Sequence, residues 1–220
     1  MTISTPPAVD DAMPPRIAKL PRYRAYPVPW FVEWFDGTPD FRVADSAKQA
    51  DATRFHLCWV CGERTGRHVA FVIGPMCAVN RVSAEPPCHT DCAVYSATHC
   101  PFLANPNMTR RERGLPADYV DPAGVMLLRN PGVALVWATR AWSTFRAPGG
   151  YLYDIGEPTQ VSWFAHGRPA TRDEVLASID TGLPALREMA DEDGELGRRE
   201  LDKQLAAAMQ LVPAATGATR

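Results

Sequence analysis

The apolar and polar positions of the chain change period along its length, and this pattern predicts a protein of mixed α and β structure. Residues 30–35 are aromatic and β-branched, which indicates a strand, and residues 41–43 return as a second strand after the Asp36-Gly37 turn. Asp45 is placed to cap a short helix over residues 46–54, which contain no helix breaker. The first folded part of the chain is therefore expected to combine a hairpin with a helix.

Uninterrupted apolar runs in the middle of the chain predict buried strands. Residues 133–138 form one such run, and residues 67–73 are strand-like and suit one arm of a hairpin. Residues 151–155 and 160–164 are expected to pair with each other, because Gly156-Glu157-Pro158 between them favours a turn. These runs predict small antiparallel sheets.

Helical spacing of apolar residues is clearest near the C-terminus, over residues 166–212. Thr171 and Glu174 form a capping box at the start of this region. Gly182 suits the end of a first helix, and Pro184 suits the first turn of a second. From Leu186 to Met209 apolar residues recur at helical spacing, but Gly194 and Gly197 weaken the middle of this stretch, so two helices or one bent helix fit it equally well. The fold class expected for the chain is α+β with a helical C-terminus.

The two ends of the chain carry few large apolar residues. Residues 1–22 contain five prolines, which predicts a flexible arm, and residues 213–220 are expected to be a frayed tail. The α+β core is therefore expected over residues 23–165, followed by the C-terminal helices.

Composition and charge narrow the class of protein. The chain has 220 residues, of which 46% are hydrophobic and 22% are charged, as in ordinary globular proteins. A formal net charge of −2 gives no global attraction to nucleic acid or to an acidic membrane. No apolar run reaches the roughly 20 residues needed to span a bilayer, and residues 1–7 do not resemble a secretion signal. We therefore expect a cytoplasmic protein that does not bind membranes, and its oligomeric state is left open.

The distribution of cysteine is the strongest chemical signal in the chain. All six cysteines lie within residues 58–100. In a reducing compartment, cysteines at short spacing are more often metal ligands or redox groups than disulfide partners. This concentration indicates a local metal site.

A zinc site is predicted from two short motifs. Cys58-Trp59-Val60-Cys61-Gly62 can turn two sulfurs toward one point, with glycine allowing the tight turn that follows. The second pair comes from residues 88–92, after Pro86-Pro87, which favours the start of a helix. On that helix, either Cys88 or His89 would share a side with Cys92.

The preferred ligand set for one structural Zn²⁺ ion is Cys58, Cys61, His89 and Cys92. The three-residue spacing of His89 and Cys92 keeps both within one helical turn, and a Cys-x-x-Cys pair followed by His-x-x-Cys is typical of zinc modules. Cys88 remains the alternative to His89.

Three other interpretations of the cysteines stay open. They are a set of free core thiols, a redox dithiol at Cys58 and Cys61, and an iron–sulfur cluster. The redox dithiol is disfavoured because residues 62–66 indicate a turn rather than a helix, and the cluster because its usual tight triplet of cysteines is missing. Cys77 and Cys100 are expected to be small apolar residues of the interior, since Cys100 lies about 12 Å along a continuous helix from Cys92.

The order of a cysteine knuckle, a hairpin and a ligand-bearing helix resembles a treble-clef zinc finger. The resemblance rests on Cys58, Cys61 and the ligands of residues 88–92, within a zinc module expected over residues 55–103. It implies a zinc-stabilised fold but no particular activity, because treble clefs bind proteins, bind nucleic acids and cleave nucleic acids.

Longer stretches resemble a group of uncharacterised proteins from bacteriophages and bacteria. The similar stretches are residues 29–32, 36–42, 58–62, 70–77, 85–87 and 100–103. This resemblance implies a phage or prophage setting, with the host cytoplasm as the location, and it brings no catalytic residue.

The function expected from these observations is a non-enzymatic module that binds protein or nucleic acid. Arg110, Arg111 and Arg113 follow the cysteines and are candidates for phosphate contacts, although such a short run is more often a solvated turn. The alternative is a metal-dependent hydrolase or nuclease with an open zinc site around residues 58–92. A set of four good ligands favours a closed structural site over that alternative.

Overall fold

The computed structural model of the protein describes residues 13–115, 119, 121, 123–124 and 129–215. Within these residues the chain forms short strands in its first three quarters and long helices only at its C-terminal end. The predicted α+β class, with small antiparallel sheets and C-terminal helices, is confirmed. None of the helices in the described part of the chain is long and apolar enough to cross a membrane.

Short helices separate groups of strands along the chain, and the two long helices follow the last strand. The strands are β1 (Arg22–Tyr23), β2 (Tyr26–Pro27), β3 (Val32–Phe35), β4 (Thr38–Ala44), β5 (Val69–Ile73), β6 (Val82–Ser83), β7 (Ala134–Thr139), β8 (Trp142–Ala147), β9 (Gly150–Ile155), β10 (Pro158–Ala165) and β11 (Arg168–Pro169). The helices are α1 (Pro15–Ala18), α2 (Ser46–Phe55), α3 (Pro75–Asn80), α4 (Thr90–His99), α5 (Arg172–Glu192) and α6 (Gly194–Met209).

Local sequence explains the first hairpin and helix, which form as predicted. Strands β3 and β4 pair antiparallel, and Asp36 and Gly37 turn the chain with positive φ angles of 46° and 76°. The Asp45 carboxylate accepts hydrogen bonds from the backbone N–H groups of Ala47 and Lys48, which caps the N-terminus of α2.

A four-stranded antiparallel sheet with the order β11-β10-β7-β5 forms the centre of the molecule. All six residues of β7 are buried, because both faces of the sheet are covered. One face carries small side chains, including Ala70, Ala134 and Ala138, and packs with α4 and the cysteines. The other face carries large side chains, including Trp137 and Trp163, and packs with α5.

The strands at residues 151–155 and 160–164 do not pair with each other as predicted. Strand β9 pairs with β8 and β6 in a separate three-stranded sheet, whereas β10 pairs with β7 and β11. The intervening Gly156 packs its Cα so closely on Ala141 that an added Cβ would lie 2.5 Å from the Ala141 carbonyl oxygen. The short connection therefore carries the chain from one sheet to the other instead of closing a hairpin.

The C-terminal helices begin as predicted, but the predicted boundary between helices at Gly182 and Pro184 is wrong. The capping box of Thr171 and Glu174 is present. Helix α5 then continues through Gly182 and Pro184, and the break falls at Asp193-Gly194. A Cβ on Gly182 would lie 2.8 Å from Met76 Cγ, so this glycine provides close contact with α3 rather than the end of a helix.

The prediction of a flexible arm over residues 1–22 is wrong for residues 13–22, which the structure describes. Residues 1–12 lie outside the described residues, but Pro15–Ala18 form helix α1, and Ile17 is only 1% exposed. Ile17 packs in the cluster that contains the zinc-ligand candidates, so burial of this side chain holds the segment in place. Of the predicted frayed tail, residues 216–220 lie outside the described residues.

Candidate metal centre

The first half of the candidate site is a tight turn that follows α2. The backbone N–H of Cys58 donates to the Glu63 carbonyl oxygen at 2.7 Å, and that of Gly62 donates to the Cys58 carbonyl oxygen at 2.8 Å. Gly62 has a φ of 75°, and a Cβ there would lie 2.6 Å from the Trp30 ring. Glycine is therefore required at this position for both conformation and space. The turn directs the sulfurs of Cys58 and Cys61 to the same side.

The second half lies at the start of α4. His89 is the N-cap residue of this helix, and Cys92 lies in its first turn. The backbone N–H of His89 points at the Cys58 sulfur, 3.4 Å away, and the backbone N–H of Cys61 lies 3.5 Å from the same sulfur. Both the N–H groups and the positive end of the helix dipole stabilise negative charge on sulfur.

The predicted helix across Cys88 and Cys92 is wrong, because Cys88 lies before the helix. Its backbone forms an antiparallel bridge with Ala70 of β5, with both hydrogen bonds at 2.8 Å. Its thiol donates to the Ala70 carbonyl oxygen at 3.2 Å. Pairing with β5 therefore delays the start of α4 to Thr90 and ties the ligand-bearing helix to the central sheet.

Four potential ligand atoms converge between the turn and the helix. One atom each from Cys58, Cys61, His89 and Cys92 lies within 4.8 Å of all the others. His89 Nδ1 is 3.4 Å from the Cys61 sulfur and 4.0 Å from the Cys92 sulfur. Bonds of about 2.0–2.3 Å to a tetrahedral zinc ion separate two ligand atoms by about 3.4–3.8 Å. The four residues are therefore close enough to hold a metal ion with little movement.

The imidazole of His89 is oriented for metal binding by the opposite ring nitrogen. Its Nε2 lies 3.1 Å from the Arg64 carbonyl oxygen, and a carbonyl oxygen can only accept a hydrogen bond. Nε2 therefore carries the proton, and Nδ1 keeps its lone pair directed toward the three sulfurs. A backbone carbonyl commonly fixes the tautomer of a metal-binding histidine in this way.

The three sulfurs compete for negative charge when no cation lies among them. Hydrogen bonds from Cys61, Cys88 and Cys92 lower the pKa of Cys58. The hydrogen bond to Cys58 raises the pKa of Cys61 to about 11, and the same partner raises the pKa of Cys92. Buried, mutually repelling thiolates of this kind become compatible once a metal dication lies between them.

Arg16 of α1 connects the two halves of the site from outside. Its Nη1 donates to both carboxylate oxygens of Asp91, at 2.8 and 2.6 Å, and its Nε lies 3.9 Å from a carboxylate oxygen of Glu63. Burial lowers the pKa of Arg16, but Asp91, Cys92 and Cys61 raise it, and the net shift is upward. The ion pair of Arg16 with Asp91 therefore ties α1 to the first turn of α4, which carries Cys92.

Sequence reasoning missed Arg16 and the helix that carries it. The signal was present, because Ile17 and Leu20 are spaced as one apolar face of a helical turn. The five prolines of residues 1–22 outweighed it and predicted an arm.

No protein-family model matches the chain, and no curated protein or solved structure is significantly similar to it. The chemistry of the site therefore has to be judged from its own residues.

Cys77 and Cys100 lie outside the group of four converging residues and are partly buried. Cys100 follows α4 directly, at the far end of the helix from Cys92. Burial raises the pKa of Cys77 to about 11, so this thiol stays protonated at neutral pH. Both residues therefore behave as small side chains of the interior.

The arginines at positions 110, 111 and 113 are arranged by contacts with β4. Arg42 donates from its guanidinium to the carbonyl oxygens of Arg111 and Arg113, at 2.9 and 3.0 Å. Arg110 in turn donates to the Arg42 carbonyl oxygen and to the Tyr119 hydroxyl. Arg110 therefore has an intramolecular role, whereas Arg111 and Arg113 are exposed. None of the three belongs to the group that could hold a metal.

Proposed function

We propose that the chain binds one structural Zn²⁺ ion through Cys58, Cys61, His89 and Cys92 and acts as a non-enzymatic interaction module. The observation that carries this proposal is the convergence of four ligand atoms within 4.8 Å. Three sulfurs and one imidazole nitrogen are the donor set that zinc prefers in structural sites, where four protein ligands complete a tetrahedron.

Burial supports a structural role for the ion. Cys58 and Cys92 are fully buried, and Cys61 is 7% exposed. A catalytic zinc ion needs a coordination position for water or substrate, and the four residues fill all positions of a tetrahedron. We therefore favour an interaction module over the metal-dependent hydrolase or nuclease that the sequence left as the alternative.

The path of the chain supports the knuckle and the ligand-bearing helix of a treble-clef-like arrangement, but the predicted hairpin between them is wrong, because β5 pairs with β7. The cysteine turn is followed by β5, by the bridge between Ala70 and Cys88, and by α4 with its ligands at the N-terminal end. The ion would join the α2–β5 connection to α4, and α4 packs on the small-residue face of the central sheet. A phage or prophage setting stays a prediction from the resemblance of sequence.

Elemental analysis of protein purified without chelator tests the proposal. We expect about one equivalent of zinc per chain, and less than about half an equivalent in a folded protein would overturn it. His89→Ala should lose the ion, whereas Cys88→Ser should keep it, because serine can also donate to the Ala70 carbonyl oxygen. Loss of zinc from the Cys88 variant, with retention by the His89 variant, would assign the fourth ligand to Cys88.

A further inference from the structure

An open groove with a polar lining lies beside the cysteine turn, between the C-terminal end of α2 and the outer strand β8. Its volume is about 600 Å³. The side chains that matter for binding are those of His56, Arg140, Trp142, Ser143 and Thr144. Strand β8 is the last strand of its sheet, so the groove follows an edge that no other described strand covers.

The lining of the groove attracts anions. Arg140 donates from Nε to His68 Nε2 at 2.9 Å, which orients its guanidinium, and among the described residues it has no carboxylate partner. The hydroxyls of Ser143 and Thr144 make no hydrogen bond within the described part of the chain. No aspartate or glutamate is among the lining residues that the structure describes. Guanidinium and hydroxyl groups together suit phosphate oxygens.

Two further arginines lie near residues that line the groove. Arg146 lies four residues after Trp142 on the same side of β8, because alternate residues of a strand share a face. Next to His56 in the chain, Leu57 pairs with Arg64, and the Thr65 backbone N–H donates to the His56 carbonyl oxygen at 2.8 Å. Arg64 and Arg146 are exposed, and neither has an ion-pair partner in the described residues.

The shape of the groove and its aromatic residue distinguish a polymer from a small anion. The groove is open rather than enclosed, so it does not surround a single phosphate. The half-buried Trp142 ring packs on His56 and Tyr153, at 5.4 and 5.9 Å between centroids, and also lines the groove. Aromatic rings beside a cationic track provide stacking surfaces for unpaired bases.

We propose that this groove binds single-stranded nucleic acid, with Arg140 and Arg146 contacting phosphates and Trp142 stacking on a base. The proposal deepens the interaction-module function and rests on it, because the metal-bound turn holds Arg64 and Thr65 beside His56. Binding is expected to depend little on base sequence, because phosphate contacts and stacking do not distinguish the four bases.

The test is fluorescence anisotropy with a labelled single-stranded DNA of about 20 nucleotides, a length that covers the usual site sizes. The double substitution Arg140→Glu with Arg146→Glu should weaken binding at least tenfold. Arg187→Glu, a charge change on the exposed surface of α5, should change it less than twofold. The slope of log K against log salt should fall by about 2 in the corresponding double glutamine variant.

Other results would overturn the proposal. No binding by the zinc-loaded wild type, or wild-type affinity in the double variant, would exclude the groove as a nucleic-acid site. Equal or tighter binding of the matching duplex would contradict single-strand recognition. Equal competition by polyglutamate would indicate an acidic protein partner, and full competition by inorganic phosphate at equal phosphate concentration would indicate a small-anion site.

Zinc content measured for each variant separates this proposal from the proposed function. Arg140 and Arg146 are exposed and are not ligand candidates, so both variants should keep one equivalent of zinc. If a variant loses DNA binding but keeps its zinc, the loss is due to the groove residues and not to the metal site. A wild type that folds without zinc but still binds DNA through Arg140 would overturn the metal proposal and leave the groove intact.

Discussion

The two faces of the central sheet are covered by different means. On one face, Ala70, Ala134 and Ala138 leave room for α4 to approach closely, but they bury little apolar area. On the other face, Trp137 and Trp163 interlock with α5 and supply much larger apolar surfaces. Aromatic side chains bury about 150–250 Å² each, which is several times the apolar area of an alanine methyl group.

The cysteines lie on the alanine face. Burial of apolar area at about 25 cal/mol per Å² stabilises the aromatic face more than the alanine face, where Val136 and Phe164 are the larger buried side chains of the sheet. A tetrahedral zinc ion can supply what the alanine face lacks, because metal binding to a site that is absent in the unfolded chain contributes directly to folding. The proposed zinc ion would therefore stabilise the face of the sheet that buries less apolar area.

Removal of the metal should produce the largest difference in stability between the two faces. Cys61→Ser should cost more than about 5 kcal/mol of unfolding free energy, since zinc binding contributes about 10–16 kcal/mol in small zinc modules. Calorimetry would measure the fall in Tm. Hydrogen exchange would show that amide protection is lost in α4 before it is lost in α5. Cys100→Ser is the matched control and should change the Tm little. An unchanged Tm in Cys61→Ser would contradict the claim that a metal ion stabilises the alanine face.

Truncation on the aromatic face should destabilise the protein without touching the metal. Trp163 is 6% exposed, and its Nε1 donates to the Leu211 carbonyl oxygen at 2.9 Å. Trp163→Ala should cost about 3–5 kcal/mol because it leaves a large cavity. Urea denaturation measures this cost, and the folded variant should still contain one equivalent of zinc. Release of zinc from the folded variant would mean that the two faces are coupled.

Arg16 provides a smaller test, confined to the alanine face. Arg16→Ala should speed zinc transfer to a competing chelator roughly tenfold, because residues that support metal ligands affect metal affinity by about 10–100-fold. Lys19→Ala is the control, since Lys19 contacts the same Glu63 at 3.4 Å but is 74% exposed. Equal rates in the two variants would show that Arg16 acts only as a surface ion pair.

Substitution of Glu174, in the first turn of α5, should have the smallest effect on stability. Its hydrogen bond from Arg168 lowers the pKa of Glu174 to about 2, against an ordinary value of 4.5. Because the folded-state pKa is lower, this stabilisation is complete above about pH 4.5 and is lost as the pH falls toward 2. Glu174→Gln should lower stability by about 1 kcal/mol at pH 6, as for loss of a helix cap.

The pH dependence of that difference is the decisive measurement for Glu174. Wild type and variant should converge as the pH falls from 4.5 toward 2, whether or not both lose the metal. A constant difference in Tm across this range would mean that the carboxylate charge does not stabilise the cap.

Much of the secondary structure could be predicted because its causes are local. The turn at Asp36-Gly37, the cap at Asp45 and the capping box at Thr171 each depend on residues within a few positions. The pairing of strands was harder to predict. Residues 151–155 and 160–164 are separated by a good turn sequence, but residues 151–155 form a hairpin with the preceding strand β8, and residues 160–164 pair with β7, which precedes β8 in the chain.

The metal site also combines features that the sequence predicted with features that depend on the tertiary structure. The spacing of the cysteines by itself indicated Cys58, Cys61 and Cys92 as ligands and left His89 and Cys88 as alternatives for the fourth, and the fold brings the set with His89 within metal-binding distance. Only the tertiary structure decided that Cys88 pairs with β5, that His89 begins α4, and that Arg16 closes the site from a segment expected to be an arm. The physical reason is range, since caps, turns and ligand spacing act over a few residues, whereas sheet pairing and burial depend on partners far along the chain.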